Sequence, residues 1–436
     1  MRIFAEKYPG MFIHESPAWP NFSWDTAKIS ALEKTAMLRL GYLCGRMSAI
    51  GFDNRLSAMV EKVTNDVVAS SSIEGIKLDT EEVRSSIGRK LGVNVPKSKD
   101  STHYVDGIVE MMLDALKNHS SPLTEKRLSG WHHALFPTGY SGSYELNVGK
   151  YRDEEMSVVS GVFGRERVHY RAPHPDKVKP EMDRFLEWLN TPDVNSPLLK
   201  AGIAHLWFVS IHPFDDGNGR IARAISDMIL ASLEGDELHY YSLSRQILKD
   251  RKHYYDALER TQRGNCDITL WLEWFLNAVI EAIADSNAML SQVLRKATFW
   301  ANHSESSISS RQRSVLNVYL DGYDAKLTAK NWARLAGTST DTALRDIASL
   351  AKQHILIPTP GKVRDIAYSI NYSRPDDNPE NLFTDIRLDG DYITATYRDG
   401  QELRDKVLAT DLLRLSAGEI DLQSLAHKYF AYLLNQ

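Results

Sequence analysis

A mainly α-helical protein divided into several domains is what this sequence predicts, and three observations carry that expectation. Apolar residues recur at spacings of three and four up to about residue 295, the mark of helices that each bury one face. Within that stretch only residues 155–173 alternate strongly enough to read as strand. Beyond it, short helical patterns give way to brief alternating runs, so sheet is confined to small pieces. At 436 residues the chain is too long for one compact core, and about two to four domains are expected.

The elements follow in order. Residues 1–25, with Pro9, Pro17, Pro20, Trp19 and Trp24, form an irregular but packed lead-in. Ile29, Leu32, Ala36, Leu40 and Leu43 then mark the buried face of a first helix. "RLSAMVEKVTNDVVASSSIEG" repeats the pattern and stops at Gly75. Further helices are expected at 102–118, 124–135, 176–190, 198–211, 220–233, 244–262 and 268–295. "EMSVVSGVFGRERVHYRAP", residues 155–173, alternates β-branched and aromatic residues around a Gly-Arg-Glu turn and reads as a hairpin. From 308 to 372 short helices precede "HILIPTPGKVRDIAYSIN", a two-stranded wing, and 373–436 adds the hairpin "DYITATYRDGQEL" and a helical end.

Composition narrows the class. Hydrophobic residues at 43% and charged residues at 25% are ordinary for a globular protein, and a net charge of -5 argues against wholesale coating of nucleic acid. Cys44 and Cys266 lie too far apart for a zinc spacing, which suits a reducing compartment. The first residues show no signal-like apolar run and no segment is apolar enough to span a membrane, so a cytoplasmic protein is expected.

The densest chemistry lies in "IHPFDDGNGRIAR", residues 211–223. Pro213 disfavours helix at His212, which places that histidine at a helix end. Gly217 and Gly219 permit the backbone angles of an anion nest, and the helix that resumes after them offers its positive terminus to the same spot. Arg220 and Arg223, three apart, share one face there and call for an anion, with guanidinium forks matched to phosphate oxygens. Asp216 is a hard oxygen ligand suited to Mg²⁺ on such phosphates, and Asn218 can donate an amide hydrogen bond to them. His212 is the natural base for a hydroxyl proton near neutral pH. Phe214 reads as an apolar anchor for the loop. A calcium loop fails because no acidic residue falls at its first position, and a P-loop fails because no Gly-Lys-Ser/Thr follows.

"HPFDDGNGRIAR" resembles the signature of the Fic family at every specified position. The resemblance implies a Fic-type helical bundle with a β-hairpin flap, and a protein adenylyltransferase that moves AMP from Mg-ATP to a Ser, Thr or Tyr hydroxyl of a protein and releases pyrophosphate. It makes His212 the general base, Asp216 the Mg²⁺ ligand, and Gly217, Asn218, Gly219 and Arg220 the phosphate cradle, with Phe214 as anchor and Arg223 on the γ-phosphate. "GKYR" at 149–152 and the 155–173 hairpin resemble the family's flap, which holds the target segment as an added strand. "RKHYYDALERTQRGNCDITLWLEWFL" resembles its closing helices, where Tyr254 and Tyr255 could flank adenine.

"SSSIEG", residues 70–75, is similar to the family's inhibitory pattern through Ser70 and Glu74, which share a helical face. A Glu in the last turn of a helix opposes the dipole and wants a cation, and Arg223 is the candidate. The resemblance thus implies autoinhibition by an N-terminal helix, with self-modification and AMP removal as accompanying activities. Residues 306–372 resemble a winged helix-turn-helix, whose Lys326, Lys330, Arg334, Arg345, Lys352, Lys362 and Arg364 invite DNA while Asp341 and Asp346 on or beside the second helix point to protein recruitment or a homodimer. The expected organisation is therefore an N-terminal helical region, 1–110, carrying the inhibitory helix at about 58–75; a catalytic core, 111–300; the winged segment, 306–372; and a small α+β element, 373–436. The rival reading is a DNA-binding regulator that uses the Fic region as a nucleotide sensor.

Overall fold

A computed structural model describes residues 11–48, 52–93, 100–160, 167–192, 196–233, 240–303, 307–359, 366–372, 383–397, 402–416 and 420–430. The chain divides into two compact units, Met1–Asn287 and Ala288–Gln436. Both are dominated by helix, with small antiparallel sheets. Among the described residues no helix is long and apolar enough to cross a membrane.

The first unit opens on a 3₁₀ turn, Ile13–Glu15, whose Ile13 is buried. Trp19 donates its indole N–H to Glu181 at 2.9 Å, and Ser23 bridges Asp267 in strand fashion, so the lead-in is fastened to the body of the unit. Helices α1 (Thr26–Ser48) and α2 (Phe52–Ile73) follow. Helix α3 (Thr80–Leu91) has no counterpart among the expected elements, although Asp79 caps it through the amides of Glu81 and Glu82 and Gly92 closes it at φ 69°. Next come α4 (His103–Lys117) and α5 (Glu125–Leu135), then two short hairpins. The first pairs β1 (Tyr140–Ser141) with β2 (Tyr144–Glu145) and was not expected. The second pairs β3 (Ser157–Ser160) with β4 (Arg167–Arg171), with a register shift at Val158/Val159. Its Gly-Arg-Glu turn lies outside the described residues.

Helices α6 (Pro175–Asn190), α7 (Pro197–Ile211) and α8 (Asn218–Ala231) form the centre of the unit. Nearly every side chain of α7 from Leu198 onward is buried, because it is apolar all round rather than on one stripe. Helix α8 packs along it, with Ile221, Ala224 and Ile225 buried, and α4 packs on α8. The single helix expected at 244–262 is two, α9 (Leu243–Lys249) and α10 (Arg251–Gln262). Asp250 breaks it, with φ -113° and ψ 33°, and its carboxylate accepts from Trp274 Nε1 at 3.1 Å. Helix α11 (Thr269–Asn302) runs further than the expected 295.

In the second unit, α12 (Ser310–Leu320), α13 (Ala329–Ala336) and α14 (Thr340–Lys352) surround Val315, Leu316, Trp332, Ile347 and Leu350, and strands β5 (Leu356–Pro358) and β6 (Tyr368–Ile370) close this core. Lys362 and Arg364, expected in the wing, lie outside the described residues. Asp346 lies on α14 as expected, but it faces inward: its carboxylate is buried and receives both Nε and Nη2 of Arg311 at 2.8 Å. The end of the chain holds a three-stranded sheet, β7 (Phe383–Asp389), β8 (Tyr392–Tyr397) and β9 (Glu402–Lys406), with α15 (Ala409–Ser416) and α16 (Leu422–Phe430) around Ile393, Ala395, Leu425 and Phe430.

Candidate active site

The site forms where α7 stops and α8 starts. His212 caps α7 in the left-handed conformation, φ 52° and ψ 59°, with its N–H on the Phe208 carbonyl at 3.0 Å. Pro213 after it cannot continue the helix. Gly217, at φ 82°, precedes α8 without a side-chain cap, so the first amides of that helix have no internal acceptor. Helix therefore begins at Asn218, two residues earlier than expected, and the Asn218 and Gly219 amides belong to its positive end.

The loop is pinned from inside. Phe214 is buried and stacks on His132 with ring centroids 4.3 Å apart. Asn218 departs from its expected use as a phosphate donor through its amide. Its Oδ1 accepts the Phe214 N–H at 3.0 Å and its Nδ2 donates to the Phe214 carbonyl at 2.7 Å, so this side chain staples the loop and only its backbone N–H is left for an anion.

A second layer, lying before the motif in sequence, holds the loop from outside. His132 Nδ1 accepts the Gly149 N–H at 2.8 Å, which leaves Nε2–H to donate to the Asp216 carbonyl at 3.2 Å. Burial lowers the pKa of His132 to about 4, so it stays neutral in that role. Gly149, at φ 75°, has no room for a side chain, since a Cβ would come 1.9 Å from His133. Arg152 is buried and donates to three carbonyls, those of His212 (2.8 Å), Glu154 (2.7 Å) and Pro173 (2.5 Å). Its own N–H reaches Pro213 O at 2.9 Å. Ser141 donates to Asp216 Oδ2 at 2.6 Å, and the Asn147 N–H to Asp215 Oδ2 at 2.9 Å. Of these residues only Gly149 and Arg152, through "GKYR", left a signal in the sequence; His132, Ser141 and Asn147 become visible only when their contacts with the loop are seen.

His212 Nδ1 donates to the Val209 carbonyl at 3.2 Å, which leaves the Nε2 lone pair for another proton. Burial holds its pKa below the usual histidine range; the Val209 contact opposes that shift and the positive charge of Arg152 assists it.

Both arginines are sequestered. Arg220 is nearly fully buried, with Nη1 on the Tyr104 hydroxyl at 3.0 Å, Nη2 3.4 Å from Asp216 Oδ1, and its guanidinium over the Phe136 ring. Arg223 donates Nε to Ser70 Oγ at 2.8 Å and Nη2 to both the Ser70 carbonyl (3.0 Å) and Glu74 Oε1 (2.6 Å). Burial opposes the charge of Arg223, yet the Glu74 carboxylate, helped by the neighbouring Tyr254 and Tyr255, raises the pKa. Among the described residues, Arg223 Nη1 and Arg220 Nε are buried with no hydrogen-bond partner. Buried guanidinium nitrogens without acceptors are costly, and together they mark a place for an anion. Glu74 also reaches over the nest, because a Cβ on Gly219 would lie 2.5 Å from its Oε1.

Helix α10 brings up two tyrosines unequally. Tyr254 is buried, its hydroxyl bonded to His205 Nε2 at 3.0 Å and its ring against Trp271 and Trp274, so it departs from the expectation that both rings flank a base. His205 Nδ1 in turn meets Ser226 at 3.0 Å, and burial, aided by the nearby Arg223, lowers the pKa of His205 to about 3. Tyr255 keeps an accessible ring, 39% exposed.

Residues 122–230, which include this loop, match the Fic/DOC family. The chain carries a Fic domain. Residues 12–93, which supply Ser70 and Glu74, match a separate domain of unknown function. The chain is similar to a protein named protein adenylyltransferase Fic in Nematostella vectensis, 24% identical over 214 residues, 48% of this chain and 45% of that one. A protein of the same name in Culex quinquefasciatus is 27% identical over 214 residues, 47% of this chain and 38% of that one. The chain thus spans less than half the length of either relative. Among solved structures, a Fic family protein from Desulfovibrio desulfuricans G20 is 20% identical, with a TM-score of 0.45 over 80% of this chain and 97% of that one.

Proposed function

We propose that this Fic-domain protein is a protein adenylyltransferase whose site is held closed by Glu74. The observation that carries the reading is Arg223: a buried guanidinium at the positive end of α8, bound to Glu74 at 2.6 Å and with one nitrogen still lacking an acceptor. A triphosphate answers that arrangement, its terminal phosphate taking the place of the Glu74 carboxylate and its other phosphates lying in the turn at Gly217 on the amides of Asn218 and Gly219.

His212 then takes the proton of a target hydroxyl on Nε2. The hydroxyl oxygen forms a bond to the α-phosphorus of ATP, the bond from that phosphorus to the pyrophosphate oxygen breaks, and pyrophosphate leaves. Arg220 and the helix terminus balance the charge that grows on the departing phosphates. Asp216 is the residue that would hold Mg²⁺. Its donor set fits, since one partly exposed carboxylate is what Mg²⁺ takes when phosphates and water supply the remaining oxygens. Bound there, the ion would draw charge from the phosphate oxygens. Strand β3, exposed along its length, offers a free edge on which an extended target segment can pair.

The Glu74–Arg223 contact is a charge-assisted hydrogen bond worth about 1.5–3 kcal/mol, so competition with it weakens productive ATP binding by roughly one to two orders of magnitude. The test is incubation with ATP labelled at the α-phosphate and Mg²⁺, with the chain alone and with cell extract as source of targets. Glu74→Gly should raise protein labelling by at least about tenfold over the native chain, and Glu74→Gly with His212→Ala should show none. Label transfer that ignores His212 overturns the proposal, as does a parallel incubation in which γ-labelled ATP labels protein and α-labelled ATP does not. For the second unit we favour a protein-docking role over DNA, because the exposed face of α14 carries Asp341 and Leu344 beside Arg345.

A further inference from the structure

The β1–β2 hairpin contributes nothing to the core, since Tyr140 and Tyr144 are 49% and 78% exposed. It is nonetheless sharply built, with Gly139 at φ 82° and Gly142 at φ 60°, conformations that glycine adopts at no steric cost. Its ends are tied down by Gly139 N–H on the Phe136 carbonyl (3.1 Å) and Leu146 N–H on the Gly139 carbonyl (2.9 Å), and the following residue meets Asp215. A hairpin fixed in this way without burying apolar surface has to be explained by what it presents, and what it presents inward is the Ser141 hydroxyl, 2.6 Å from Asp216 Oδ2.

Asp216 is otherwise held on one side only. Its Oδ1 accepts the Gly217 N–H at 2.5 Å and lies 3.4 Å from Arg220 Nη2. With the side chain 40% exposed, Oδ2 would be free to swing were it not for Ser141. A carboxylate offers about four lone-pair positions, so a single hydroxyl on Oδ2 fixes its direction and still leaves that oxygen able to bind a cation. Donors of this kind behind a metal-binding carboxylate set both its aim and its affinity.

Resting on the reading of Asp216 given above, we propose that Ser141 is a positioning residue for the metal site: its hydroxyl orients Asp216 toward a divalent cation carried by the nucleotide phosphates. The hairpin is then the device that delivers it.

The experiment uses the full chain in the Glu74→Gly background, so that Arg223 is open. Mn²⁺ replaces Mg²⁺, and free Mn²⁺ is followed by electron paramagnetic resonance as it is titrated into protein saturated with a non-hydrolysable ATP analogue. Ser141→Ala should weaken Mn²⁺ binding by about tenfold or more, Ser141→Thr should stay within about threefold of the parent because it keeps the hydroxyl, and affinity for the analogue in EDTA should be equal in all three. Unchanged Mn²⁺ affinity in Ser141→Ala overturns the assignment while leaving the nucleotide site intact. Loss of analogue binding in EDTA in Ser141→Ala makes Ser141 a mere prop of the loop and overturns it too. A parent that binds neither analogue nor Mn²⁺ overturns both this assignment and the nucleotide reading on which it rests.

Discussion

Arg152 reaches three carbonyl oxygens with its guanidinium, and one of them belongs to His212, 60 residues further along the chain. The same cation helps keep His212 neutral, so position and proton affinity of the proposed base share one neighbour. With a pKa below the ordinary histidine range, His212 is already deprotonated at neutral pH, and activity should fall only as acid carries the solution down through that lowered value. In Arg152→Met the charge is gone, the pKa of His212 rises, and the acidic limb of the rate–pH profile should move to higher pH. The maximal rate should drop by on the order of 100-fold, the cost of a small misplacement of a reacting group. A profile that keeps its shape while the rate falls would assign Arg152 to folding alone. Residue by residue, the sequence made the motif legible because His212, Asp216, Gly217 and Arg223 must sit at fixed spacings on one turn and one helix. His132, Ser141 and Tyr104 were hidden because their partners are remote in the chain, and no local spacing encodes a contact made across a fold.

At the scale of elements, strand β4 and helix α10 meet through one carboxylate. Glu259 accepts Arg167 Nη2 at 2.6 Å and His169 Nδ1 at 2.7 Å, and His169 Nε2 meets Ser160 on β3 at 2.5 Å. The hairpin that would hold a target is thereby tied to the helix that carries Tyr255. Glu259→Gln, which keeps the shape and loses the charge, should speed amide exchange in 167–171 and raise KM for a protein target, with affinity for nucleotide unchanged. Equal exchange in both proteins would remove Glu259 from this role. Helix periodicity foretold most of these elements to within a few residues. It missed the break at Asp250, where Trp274 draws the carboxylate aside, and the β1–β2 hairpin, which buries too little to leave a pattern.

On the scale of the whole molecule, the two units have separate cores and invite separate tests. In the second, the sequence places Asp346 on or beside α14 but cannot show that Arg311 and Trp332 pull it inward. The outward face that remains is mixed in charge, so the full chain should bind duplex DNA weakly at low salt and lose it at physiological salt; a gel shift that persists there would restore the regulator reading. In the first unit, α2 packs against α3, α4, α8 and α9 and buries Val63, Val67, Ala69 and Ile73. Of the three hydrogen bonds that Arg223 donates to this helix and the residue after it, two go to Ser70 and do not involve Glu74. The brake we propose is thus welded into the chassis, and its release has only one pedal to move: the carboxylate swings aside on its own bonds, while the rod that leads to it stays seated.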